Sequence, residues 1–284
     1  MLYSRYILKT SLTLLWILPS LLFAQVQHGL KGIIVEKYYV ADAKDAAKSA
    51  KHGGKLKAGA VTYRIYVDML PGYKFESAFG TTNHPLRIAT TTYFYNNDKG
   101  GSIANSISQD HLKDNTVMLD SWLSAGAASE GNWGILKAND NGVGTIVSEQ
   151  GLLQNEDTAA GIPLKKQDGL LAGTPPAVTT FGIDTAIKVF DKGAKGSIFS
   201  TTYGAWATVN GASSPDSSNN RVLIAQLTTN GQLSFELNIQ IGKPLIGKPE
   251  QYVARNPRRK HEVMLPTLTY PPVTDQTSQD VTTK

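Results

Sequence analysis

Cysteine is absent from all 284 residues. That absence excludes disulfides, thiolate metal sites, thiol nucleophiles and lipid attachment through an N-terminal cysteine. Histidine is sparse, and His28, His52, His84, His111 and His261 never fall at the i, i+2 or i, i+4 spacing that places two on one face of a strand or helix. A zinc motif is therefore not expected. A G-x-S-x-G elbow is missing, and Asp120-Ser121 beside Trp122 has no neighbouring histidine to activate the serine. A large surplus of one charge sign is also lacking: 28 Lys and Arg stand against 23 Asp and Glu. This is far from the basic footprint of a nucleic-acid binder, so no nucleic-acid partner is expected. After residue 24 no apolar run approaches the length of a membrane span.

Residues 1–24 carry the sharpest single signal. Arg5 and Lys9 give a positive start, Leu12 to Phe23 form a short apolar run broken by Pro19, and Ala24 offers a small residue before a cut. The run is shorter than the ~20 residues of a comfortable span. Residues 1–24 thus read as a bacterial secretory signal, and the expectation is an exported protein, extracellular, at the cell surface or periplasmic. Its removal takes away two basic residues and no acidic one, leaving a net charge of +3.

The remaining chain reads as strands. From Val61 to Met69, Val61, Tyr63, Ile65, Val67 and Met69 alternate with Thr62, Arg64, Tyr66 and Asp68. The same period of two runs through 232–241, with Leu233, Phe235, Leu237, Ile239 and Ile241 on one face. Such alternation predicts sheets with one buried and one wet face. Asn230-Gly231 lies between 221–229 and 232–241, the dipeptide that a type I′ hairpin favours, so a tight hairpin is expected there. Further strands are expected at 33–40, 75–79, 86–95, 117–124, 144–148, 187–190 and 198–209, separated by turn clusters such as 96–101, 139–142 and 213–220. Residues 41–51, rich in Ala and Lys without an apolar stripe, predict a surface helical turn or a loop. The fold class is all-β, a β-sandwich or jelly-roll-like domain with Gly- and Asn-rich turns over 25–241. Six of the thirteen prolines fall after Ile241, so 242–284 reads as a proline-rich, largely disordered tail.

Candidate chemistry follows from a few residues. Gly242 to Lys248 spells G-x-x-x-x-G-K, but Pro249 stands where a Ser or Thr would hold magnesium, so a phosphate loop is rejected. Asn139-Asp140-Asn141-Gly142 fails the EF-hand pattern, because Lys137 and Ser148 fall at ligand positions. Asp98, Asp140 and Asp216, in turns, are left as weak calcium candidates; no other cofactor is expected. Trp122, Trp133 and Trp206 are candidate sugar-stacking platforms, with Asp120 as a hydroxyl partner, against the plain alternative of core packing. Trp133 sits in a loop-like Gly131-Asn132-Trp133-Gly134 setting, whereas Trp122 and Trp206 fall within strands. Dispersed carboxylates such as Asp68, Asp120 and Glu130 keep open an enzyme acting on extracellular polymers.

Four blocks carry a resemblance: 62–67 through Phe79-Gly80, Pro85-Leu86 and Tyr93-Phe94-Tyr95; 119–123; 204–211; and 221–231. They resemble a family of uncharacterised secreted β-rich proteins of marine and environmental bacteria, some with C-terminal sorting or anchoring signals. The resemblance covers most of 61–241 and implies an extracellular or surface β-domain, with no catalytic residues to transfer. The chain departs from the sorted members in lacking a glycine-rich C-terminal sorting domain.

The expectation is thus a secreted or cell-surface ligand-binding protein. Its partner would be an extracellular polysaccharide or a surface protein. A polymer-degrading enzyme and a structural matrix or envelope protein assembling through β edges are the alternatives.

Overall fold

The computed structural model describes residues 28–52, 54–113, 116–141, 168–216, 218–245 and 247–272. The secretory segment at 1–24 and the strand expected at 144–148 lie outside the described residues. The chain folds as a β-sandwich. Its central sheet is formed by β1 (Leu30–Val40), β2 (Val61–Met69), β12 (Arg221–Thr229) and β5 (Trp122–Leu123), side by side in that order. Opposite it lie two further sheets. One has six strands, in the order β16 (Glu262–Met264), β15 (Glu250–Val253), β14 (Asn238–Gly242), β3 (Lys74–Gly80), β11 (Gly204–Ala212) and β9 (Thr179–Phe181). The other has four, in the order β10 (Ile198–Thr201), β4 (Leu86–Thr90), β13 (Leu233–Glu236) and β17 (Thr269–Tyr270). Pairing is antiparallel throughout these sheets apart from β15 with β16. No helix among the described residues is long and apolar enough to cross a membrane.

The alternation in β2 puts Ile65, Val67 and Met69 into the main core, where they meet Phe75, Ile88, Phe199, Trp206 and Ile239 from the opposing sheets. Burying each such side chain contributes about 1.5–3 kcal/mol. The other face of β2 is not wet. Thr62, Arg64 and Tyr66 are all buried, because a covering layer closes over the central sheet. Between sheet and cover lies a second cluster, with Tyr38, Trp122 and Leu223 from the sheet and Leu112 from the cover, and the layer includes a small sheet of β6 (Ala127–Ser129), β7 (Asn132–Gly134) and β8 (Leu170–Ala172). The helix α1 (Ala43–Lys51) borders it, started by a capping box in which Asp42 accepts from the Asp45 N–H at 2.8 Å and Asp45 accepts from the Asp42 N–H at 3.1 Å.

The expected Asn230-Gly231 hairpin does not form. β12 and β13 belong to different sheets, and neither Asn230 nor Gly231 has positive φ. The turn instead carries the chain across the sandwich, so that Leu233 and Phe235 bury beside Ile88 on β4. Glycine is needed for closeness there: a Cβ on Gly231 would lie 2.7 Å from the hydroxyls of Thr90, Thr91 and Thr92. The pair of left-handed residues is Asn210-Gly211, with φ of 67° and 70°, which forms an irregularity inside β11. The run 232–241 also divides at Leu237 into β13 and β14, yet its apolar face is buried as expected. Residues 198–209 divide likewise into β10 and β11, and 187–190 lie in a 3₁₀ turn, not a strand.

The fold does not stop at Ile241. The tail expected over 242–284 is corrected for the stretch that contains β15, β16 and β17, whose Tyr252 and Leu268 sit fully buried in the main core. Its prolines punctuate these strands without occupying them: Pro249 precedes β15, Pro266 opens a 3₁₀ turn and Pro271 follows β17. His84 is buried and the carboxylate of half-buried Glu262 is largely covered; they pair at 3.1 Å and tie β16 to the loop before β4.

Candidate functional site

Three aromatic-glycine pairs, Phe79-Gly80, Phe181-Gly182 and Tyr203-Gly204, meet where β3, β9 and β10 end and β11 begins. Gly204 lies opposite Gly80 in the sheet register. A Cβ on Gly80 would run into the carbonyl oxygen of Thr201, one on Gly182 into that of Tyr203, and one on Gly204 would lie 2.7 Å from that of Phe181. Gly182 also has φ of 63°, a conformation that L side chains resist. These glycines let the 181–182 and 203–204 backbones approach closely. As a result, the rings of Phe181 and Tyr203 stand beside each other, with centroids 5.5 Å apart and planes tilted by 60°.

The Tyr203 N–H donates to Thr201 Oγ1 at 3.1 Å, which fixes the turn from β10 to β11. Tyr203 remains 73 % exposed, Phe181 60 % and Ile198 51 %. Tyr203 and Ile198 line a groove of ≈ 870 Å³ together with Arg87, Asp184, Thr185, Ser200 and Thr202. Asp184 is the one acid among its lining residues. The Tyr203 ring, hydroxyls and a single opposed pair of charge signs in one groove, with the Phe181 ring beside it, can stack on apolar faces and exchange hydrogen bonds with a polar ligand.

The residues expected from the sequence do not converge here. Trp206 is fully buried in the main core, its indole N–H donating to Ser124 O at 3.1 Å. Trp122 is buried in the second cluster. Neither ring presents a face to a ligand, because each fills a strand position pointing into a core. Trp133 on β7 is half-buried between two glycines: a Cβ on Gly126 would lie 2.6 Å from its ring, and one on Gly173 2.7 Å. Asp120 is fully buried and acts as a loop clamp. Its Oδ1 accepts from the Asn97 N–H at 2.7 Å and its Oδ2 from the Gly101 N–H at 2.8 Å. Burial pushes its pKa up to about 8 against these backbone donors, which favour the charged form. Asp68 is engaged by Lys31 at 2.9 Å on the side of the central sheet, and Glu130 is exposed in the turn from β6 to β7. These three carboxylates have separate surroundings.

Two of the calcium candidates do meet. Asp140 and Asp216 line one cleft of ≈ 240 Å³ with Tyr66, Asn139, Asn219 and Arg221, whereas Asp98 is exposed on the 96–101 turn. Asp216 is occupied by its own turn, accepting from the Ser218 N–H and the Asn219 side-chain amide, each at 2.9 Å, and this holds its carboxyl below the usual range. Asp140 accepts from the Gly169 N–H at 2.7 Å. Among the described residues, no three His, Asp or Glu side chains gather as a metal-holding group.

Behind this cleft lies a buried polar centre. The guanidinium of Arg64 stacks on Tyr38 at 3.7 Å, and donates to Gln226 Oε1 at 2.9 Å and Gly169 O at 3.0 Å. Tyr66 donates to Glu36 at 3.3 Å, and Lys137 Nζ to Tyr38 O at 2.7 Å. Burial lowers the Lys137 pKa to about 8, and raises Asp168 to about 7 with the neighbouring Asp140 carboxyl adding to the rise. Shifted groups in a cleft are a common mark of function. Here, however, the bonds from Arg64 to Gly169 O and from Lys137 to Tyr38 O join the covering layer to the sheet, while those to Gln226 and Glu36 link strands within it.

Sequence reading missed Phe181, Tyr203, Ile198, Arg87 and Asp184. The repeated aromatic-glycine dipeptide was the available signal, since a glycine beside an aromatic residue marks a close backbone approach that can leave the ring outside. No family model matches the chain, and no curated protein and no solved structure matches it.

Proposed function

We propose that this is an exported polysaccharide-binding protein whose ligand lies in the groove edged by Phe181 and Tyr203. The observation that supports this reading most is the pair of solvent-exposed rings beside a hydroxyl-lined groove. Large apolar side chains left in water forgo about 25 cal/mol per Å² of burial, so their exposure beside one another favours a surface kept for a partner. Sugar rings have apolar C–H faces that stack on aromatic rings, while their hydroxyls pair with groups such as Arg87, Asp184 and Ser200. The export expected from residues 1–24 would bring the protein to such polymers.

A glycan array tests the reading. Retention that Tyr203→Ala and Phe181→Ala weaken and Trp133→Ala leaves intact is the expected result. Retention by no glycan, or retention indifferent to Tyr203→Ala and Phe181→Ala, would remove it. A second reading, assembly through β edges, draws on β9 and β10, which are edge strands flanking the same groove. It predicts a mass that rises with concentration in sedimentation and that Ile198→Lys returns to the monomer value.

A further inference from the structure

We infer that the groove takes single, neutral polysaccharide chains in solution, and selects against flat crystalline polymer faces and polyanionic chains. The inference rests on the polysaccharide reading above and narrows it through three observations.

The first is ring geometry. Stacking on a flat polymer face requires aromatic platforms that share one plane. The Phe181 and Tyr203 planes are tilted by 60° at a centroid separation of 5.5 Å, so both cannot lie on one flat surface. A free chain can turn between successive sugar rings and meet both platforms in sequence. The backbone holds the two ring-bearing segments close together, because Gly182 and Gly204 allow their close approach and the Tyr203 N–H is held by Thr201.

The second is charge. Among the lining residues, Arg87 is the one cation and Asp184 the one anion. A chain with a carboxylate on every residue would gain one favourable partner and meet one repulsive one, with no surplus of positive charge to offset its desolvation. The remaining polar lining includes the hydroxyls of Thr185, Ser200, Thr202 and Tyr203, which donate to or accept from uncharged hydroxyl groups equally well.

The third is shape. At ≈ 870 Å³ the groove is near the upper end of the range of about 300–1,000 Å³ typical of small-molecule sites. It therefore has room for more than one sugar ring, and an exposed rim along which a chain can continue.

The mature protein would be run in native gels containing soluble mixed-linkage β-glucan, galactomannan, arabinoxylan or polygalacturonate, and incubated in parallel with microcrystalline cellulose and chitin. Retardation by at least one of the soluble neutral polymers is expected, without retardation by polygalacturonate or depletion by the crystalline solids. Tyr203→Ala should weaken the neutral interaction about tenfold while its thermal unfolding stays like that of the parent. Asp184→Lys should add affinity for polygalacturonate by converting the balanced groove to a cationic one. Preferential binding of polygalacturonate or of a crystalline solid, lost on Tyr203→Ala, would overturn the neutral single-chain assignment while leaving the groove as a polysaccharide site. Binding to none of the three kinds of polymer, or binding unchanged by Tyr203→Ala and Phe181→Ala, would overturn the polysaccharide reading itself.

Discussion

The two faces of the central sheet are built on different chemistry. One face, carrying Ile65, Val67, Met69, Val222 and Leu227, packs on apolar and aromatic side chains from the opposing sheets. The other carries Arg64, Tyr66, Gln226 and Thr228, all buried under the covering layer. Apolar packing is non-directional and tolerates many neighbours, so the first face needs only hydrophobic side chains of fitting size. The second face needs named partners. Gln226 illustrates this: its carbonyl accepts from Arg64, and its amide donates to Met118 O and Asp120 O at 2.8 Å each. A polar core therefore fixes which segment lies on top, where an apolar one fixes mainly that something does.

The largest effect should come from removing Arg64. Arg64→Ala strips Gln226 and the Gly169 carbonyl of their donor and leaves Glu36 without one of the cations that stabilise its charge, at an expected cost of about 3–5 kcal/mol in urea unfolding. A cost below ~1 kcal/mol would mean that the polar face contributes no more than a solvated surface. On the apolar face, Ile239→Val should cost about 0.5–1.5 kcal/mol, with no dependence on pH.

The pH response separates the faces further. A free aspartate titrates near ~3.9, whereas burial raises Asp168 to about 7, so the folded state holds an extra proton between these values. Its stabilising contribution is complete at low pH and is lost as pH rises through about 7. Asp120, raised to about 8, acts in the same direction. Lys137, lowered to about 8, acts in a separate, alkaline window, its contribution being lost as pH falls through that value. Asp168→Asn should therefore flatten, without abolishing, the fall in urea midpoint between pH 4 and 7. An unchanged slope would show that Asp168 is already ionised in the folded protein. The smallest effect is expected at the groove, where Tyr203→Ala should change stability by less than ~0.5 kcal/mol, since the ring is mostly in water. A larger loss would make Tyr203 a packing residue and remove the reason for treating it as a ligand platform.

Much of the apolar face was legible in the sequence. The alternations at 61–69 and 232–241 predict the buried residues Ile65, Val67, Leu233, Phe235 and Ile239, because a period of two is a local property of a strand. Strand partners are not local. Asn230-Gly231 carries the best hairpin dipeptide, yet burying Leu233 and Phe235 against β4 outweighs the turn preference. Arg64 and Tyr66 read as solvent-facing because their cover comes from residues such as Gly169 and Leu112, distant in the chain. The same reason hid the surroundings of the candidate aromatic residues. Trp122 and Trp206 drew attention as large aromatic side chains, but strand alternation turned them into the two cores, while Tyr203 and Phe181 were left outside by the glycines that follow them.

The sequence by itself determined the all-β class, the apolar faces of the long strands and the absence of disulfides, since these depend on residue type and local period. Only the tertiary structure decided that the second face of the central sheet is buried, that the chain beyond Ile241 joins both opposing sheets, and that the exposed rings meet beside one groove. The physical reason is that each of these requires closing a long stretch of chain onto a distant partner, and which closure wins depends on the burial and hydrogen bonding gained by the whole sandwich.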